Sequence, residues 1–105
     1  MSNAYVDYVT SDTTVDPGYD TFLIDASSNS VTMTLPSIVG DGTKFTFVRI
    51  DTVTANTVTV RVDPTTSEVI DLPSQTSITL DLHKNTTLCS FYANLTWYTI
   101  YGNRT

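Results

Sequence analysis

Charge is scarce in this chain: lysine and arginine together number five, and glutamate and histidine occur once each. The five basic residues, Lys44, Arg49, Arg61, Lys84 and Arg104, are scattered, and the net charge is −6. Nucleic acid and anionic membrane surfaces both demand clustered cations, so neither is an expected partner. The single cysteine, Cys89, excludes an internal disulfide and a cysteine-based metal site. Lying between Leu88 and Ser90 in a strand-like run, it reads as a buried thiol. No apolar run approaches the ~18 residues of a membrane-spanning helix. Residues 1–20 also lack the basic start and apolar stretch of a secretory leader. A soluble chain, without membrane insertion and made without a leader, is expected.

What is abundant is hydroxyl. Twenty-one threonines and ten serines stand beside ten aspartates, while the good helix formers glutamate, lysine and alanine are few. Threonine suits a pleated strand, and aspartate, serine and asparagine suit turns, so the composition points to an all-β chain. At 105 residues there is room for one core.

Period-two alternation locates the strands. Residues 21–25, 31–35, 44–50, 57–62 and 77–82 each read as one, a short piece surrounds Val69 and Ile70, and a hairpin spans Thr87–Tyr101 with its turn at Asn94. That hairpin holds the only tryptophan and three of six tyrosines, and forms the expected apolar anchor. In 31–35, Val31, Met33 and Leu35 share one face. In 44–50, Phe45 and Phe47 share a face but Val48 and Ile50 lie opposite, which calls either for burial of both faces or for a bulge near Val48. Residues 1–20 read as an N-terminal arm laid on a neighbour or the capsid, or as a short strand around Tyr5–Val9, ahead of a β-sandwich domain over 21–105. About eight short strands with turns every 8–12 residues indicate a compact antiparallel β-sandwich, jelly-roll-like. Threonines 32, 34, 57, 59 and 79 line strand faces that are either solvated or packed against copies of the chain.

Reactive constellations are missing from the pattern. The ten aspartates fall at strand ends, where turn capping accounts for them. No acidic calcium loop, phosphate-cradling glycine loop, dinucleotide fingerprint or nucleophile elbow occurs, and His83 stands alone as a turn residue. Neither catalysis nor a cofactor is expected. Trp97, Tyr98 and Tyr101 are the candidates for stacking on sugar rings, with most of the hairpin aromatics expected in the core.

The order of landmarks resembles a small β module of tailed-bacteriophage head-fibre, capsid-decoration and tail-fibre adhesin proteins. The matching stretches are Tyr19–Ala26 (YDTFLIDA), Val31–Ser37 (VTMTLPS), Gly42–Phe47 (GTKFTF), Val58–Val60, Ile78–Leu80 and Trp97–Ile100, together spanning Tyr8 to Tyr101. The resemblance implies a virion structural protein, made in the host cytoplasm and displayed on the capsid or a fibre as a homotrimer bound to the major capsid protein or another virion protein. The alternative it implies is a carbohydrate-binding adhesin that recognises a host surface glycan.

Overall fold

The computed structural model describes residues 5–103, which form ten strands in two sheets. The strands are β1 (Val6–Val9), β2 (Thr13–Thr14), β3 (Thr21–Ile24), β4 (Val31–Thr34), β5 (Lys44–Arg49), β6 (Val58–Arg61), β7 (Val69–Ile70), β8 (Ser77–Leu80), β9 (Asn85–Phe91) and β10 (Thr96–Asn103). The six-stranded sheet runs β1-β3-β5-β9-β10-β7 and the four-stranded sheet runs β2-β4-β6-β8.

The path between the sheets differs from the expected antiparallel arrangement. From β1 to β6 the chain crosses to the opposite sheet after every strand, so β1, β3 and β5 lie parallel in one layer and β2, β4 and β6 parallel in the other. This winds the first half of the chain as a flattened coil. Only afterwards does it fold back: β8 pairs antiparallel with β6, and the β9–β10 hairpin closes antiparallel on β5. With β7 parallel to β10, five of the eight pairings are parallel. The expected all-β, two-layer domain is found, but its sheets are mixed. Alternation reveals which residues face inward and carries no information on the direction of the neighbouring strand.

Residues 1–4 of the N-terminal segment 1–20 lie outside the described residues; from residue 5 onward, the short strand expected around Tyr5–Val9 is present as β1. Within the described part, β1 and β2 extend both sheets, and Val9 and Val15 are buried. Residues 5–20 therefore share the core with everything after them. The question raised by Val48 is also resolved. The register from Lys44↔Cys89 to Val48↔Asn85 is unbroken, Ile50 lies exposed, and the inward position after Phe47 is taken by Arg49. The register shift lies in β10, between Thr99 and Tyr101.

The core is aromatic under one layer and aliphatic under the other. Phe22 stacks on Phe47 with centroids 5.3 Å apart, Phe45 meets Phe22 edge-on at 6.0 Å, and Trp97 lies 5.8 Å from Phe45. Against them the four-stranded sheet sets Val31, Met33, Leu35, Val58, Val60, Val62, Ile78 and Leu80, all buried. The expected inward face of Val31, Met33 and Leu35 is thus present.

One glycine is dictated by packing. Gly102 has φ of +141°, and a Cβ there would meet the Thr86 Cα at 2.5 Å and the Asn85 carbonyl oxygen at 2.6 Å. Both obstacles are backbone, which cannot swing aside. Gly102→Ala is expected to cost about 2–4 kcal/mol, measured by urea unfolding. Gly40→Ala, where nothing lies within 4 Å of the added carbon, serves as the neutral control.

Candidate functional site: the polar clusters and the two outer sheet faces

The polar groups sort into a buried set that builds the fold and an exposed set that shapes two faces. Arg49 and Asp51 are 4% and 6% exposed. Asp51 Oδ1 accepts from Arg49 Nε at 3.0 Å, and Oδ2 accepts from Arg49 Nη2 at 3.2 Å. The guanidinium also donates to the carbonyls of Leu80, Val53 and Asn56, and Asp51 accepts from the amides of Ala26 and Val53. Burial pushes the Asp51 carboxyl up, but these donors and the Arg49 charge outweigh it and hold the group at about 2. Both carboxylate oxygens of Asp51 accept two hydrogen bonds each, and all three guanidinium nitrogens of Arg49 donate within the protein, so the pair serves the fold.

Glu68, also buried, is committed in the same way: one oxygen accepts from the Ile38 amide at 2.8 Å and the other from Trp97 Nε1 at 3.4 Å. Thr86 Oγ1 is buried without a hydrogen-bond partner among the described residues.

At the surface the aspartates cap backbone. Asp12, Asp16, Asp25, Asp41, Asp63 and Asp71 accept from the amides of Thr32, Gly18, Ser27, Tyr92, Thr65 and Thr99 respectively. Bonds from Ser27, and then from the Tyr8 hydroxyl at 2.5 Å, hold Asp25 below the usual carboxylate range. Donation from the Thr65 amide and hydroxyl does the same for Asp63. His83 occupies a left-handed turn position with φ of +62°. Among the described residues no three of His, Cys, Asp and Glu come together as a metal-binding group.

The three candidate stacking residues are separated. Trp97 is 1% exposed, wedged beside Phe45 and hydrogen-bonded to Glu68, so it presents no ring face to a sugar. Its place as the core anchor removes it from the glycan candidates. Tyr98, the next residue, points the other way; it packs against Phe91 with centroids 6.3 Å apart, and its hydroxyl accepts from Asn94 Nδ2 at 2.7 Å. The side chain of Tyr101 lies outside the described residues. Alternation had already required that Trp97 and Tyr98 part company. The sequence pattern did not reveal which of them points inward, because that depends on pairing with Ser90 and Cys89 across the hairpin.

What the sequence reading missed is the outer face of the six-stranded sheet. Val6 and Tyr8 of β1, Thr21 and Leu23 of β3, Thr46 and Val48 of β5, Thr87, Cys89 and Phe91 of β9, and Tyr98 of β10 lie side by side in register. Tyr8 is 58% exposed, Val6 45%, Phe91 43% and Tyr98 38%. Cys89 is half-buried on this face rather than in the core. Among the outward residues of these strands Lys44 alone is charged. The four-stranded sheet presents the opposite character: Thr32, Thr59 and Thr79 form one rank, Thr34, Arg61 and Ser77 the next, with Arg61 Nε donating to Thr34 Oγ1 at 2.9 Å. The chain thus has a hydroxylated face and an apolar one.

In comparisons with known proteins, no family model and no curated protein matches the chain.

Two measurements test the assignment of the buried polar groups to structure. Asp51→Asn is expected to destabilise by about 3–5 kcal/mol at neutral pH, since it leaves the Arg49 charge buried without its partner. Because the folded Asp51 is depressed to about 2 from 3.8, its contribution is complete above pH 3.8 and disappears as the pH falls toward 2. Urea unfolding across that window should show the variant losing less stability than the parent; parallel acid profiles would contradict the linkage. Thr86→Val should stabilise by about 1 kcal/mol, because it removes an unpaired hydroxyl while keeping the β-branched shape.

Proposed function

We propose that this chain is a structural assembly domain, a surface component of a tailed-phage virion displayed as a homotrimer on the capsid or at a fibre. The observation that carries the reading is the charge-depleted, partly apolar outer face of the six-stranded sheet. Surfaces that stay in water scatter their apolar residues among charges, whereas contact surfaces lose charge and gain aromatic side chains. Here Tyr8, Phe91 and Tyr98 stand on a face with one cation, in a molecule carrying sixteen charged side chains. Commitment of the buried Arg49, Asp51 and Glu68 to internal hydrogen bonds also suits a chain that works by contact.

The phage assignment is supported by the order of landmarks from Tyr19 to Ile100, which the fold uses as strands of one core. Major capsid protein or another virion protein is the expected heterologous partner. Association is driven by apolar area removed from water, at about 25 cal/mol per Å² before the costs of association are subtracted. Three copies sharing such a face gain a common core that a domain of this size benefits from.

A glycan-binding adhesin is the second reading, and one observation favours it. Phe91 and Tyr92 are exposed beside Tyr98 at the β9–β10 turn, with the Asn94 amide at hand. On a glycan array, Tyr98→Ala should abolish any specific signal if that reading holds.

The decisive first test is mass in solution by light scattering on a sizing column. A species near three times 11.5 kDa is expected. A monomer at every concentration up to millimolar would overturn the assembly reading.

A further inference from the structure

We infer that copies of this chain meet through the outer face of the six-stranded sheet, head to tail, with Lys44 of one copy against Asp25 of the next. The inference rests on the assembly reading above and specifies its surface, partner and polarity.

The two charges define the direction. Lys44 opens β5, and in the adjacent strand Asp25 follows directly on β3, level with Ile50. Six residues of extended chain separate the levels of Lys44 and Ile50, about 20 Å at 3.3 Å per residue. Between them the outward positions are neutral: Thr46 and Val48 on β5, Thr21 and Leu23 on β3, and Thr87 on β9. The face is therefore a neutral platform with a cation at one end and an anion at the other. Lys44 makes no ion pair among the described residues, where Arg49–Asp51 is the one salt bridge. Asp25 is steadied by the Tyr8 hydroxyl and the Ser27 amide, neither of which is a cation.

In a head-to-tail ring the neighbour on one side supplies an anion to Lys44 and the neighbour on the other side a cation to Asp25. Stacked in parallel, two faces would oppose lysine to lysine and aspartate to aspartate; unlike charges meet either in an antiparallel two-fold pair or head to tail, and of these only the head-to-tail seam builds the trimer of the assembly reading. A head-to-tail contact is heterologous, and it ends in a closed ring when the rotation between copies closes. Three copies so arranged turn their six-stranded sheets toward a common axis and leave the hydroxylated sheets outside. Rim charges of this kind set orientation and discriminate against wrong docking more than they add affinity.

The thiol of Cys89 sits on this face and is the chain's single cysteine, so it reports burial without any substitution. Alkylation of the wild-type protein by a maleimide, followed across a dilution series, should slow at least tenfold in the assembled species. In parallel, Lys44→Glu and Asp25→Lys are each expected to weaken self-association about tenfold in sedimentation equilibrium. The double variant, with the charges exchanged, should recover it. Circular dichroism melting monitors the fold of each variant, and Thr59→Lys on the opposite sheet should leave association unchanged. An assembled protein whose Cys89 reacts at the monomer's rate, or whose association is broken by Thr59→Lys, would overturn the choice of face while the assembly reading stands. Failure of the double variant to recover would overturn the head-to-tail polarity. A wild-type chain that never associates would overturn the assembly reading itself.

Discussion

The buried pairing of Arg49 with Asp51 is the contact on which the two-layer arrangement depends. Arg49 stands in β5, near the middle of the six-stranded sheet, and donates to the Leu80 carbonyl of β8 in the other sheet. It also gathers the Val53 and Asn56 carbonyls of the β5–β6 crossover, while Asp51 holds the Ala26 amide of the β3–β4 crossover. A coil that changes sheet after every strand has no hairpins to fix its connections. Its crossovers must be fastened from within, and a guanidinium with five donors in a rigid fork does that for two of them. The desolvation cost is offset because both carboxylate oxygens and all three guanidinium nitrogens have partners.

The same winding governs where the sheets end. Parallel strands joined by crossovers leave edges, and open edges invite unplanned pairing. At one edge β1 carries Asp7 at a position that pairs with the inward Phe22, and a carboxylate there discourages an added strand. At the other sheet's edge β2 is two residues long, and Asp12 takes the Thr32 amide that a longer neighbour would have paired. Two of the four sheet edges are thus blunted, while the outer face of the six-stranded sheet stays partly apolar. The proposed self-association uses this face and neither of these two strand edges.

Much of the layer structure was legible from alternation. Val31, Met33 and Leu35 lie inside as their spacing requires, and the aspartates cap turns as their positions suggest. Pairing direction was not legible, because the period of two is shared by parallel and antiparallel strands and the long connections look like ordinary loops. The strand from Lys44 seemed apolar on both faces because Val48 and Ile50 stand opposite Phe45 and Phe47; alternation puts Arg49 on the phenylalanine face, where its ion pair with Asp51 allows it to be buried. Trp97 was legible as an anchor but not as one removed from any glycan surface, and the partly apolar outer face emerged only when Val6, Tyr8, Leu23, Val48 and Tyr98, distant in sequence, were brought into register.

The central claim is that this apolar sheet face is where copies meet, and methyl cross-saturation tests it most directly. A deuterated, methyl-labelled copy is mixed with unlabelled protein and the unlabelled protons are saturated. Intensity losses are predicted at the methyls of Val6, Leu23 and Val48, with Thr32 and Thr59 on the opposite sheet unaffected. Losses confined to Thr32 and Thr59 would contradict the account.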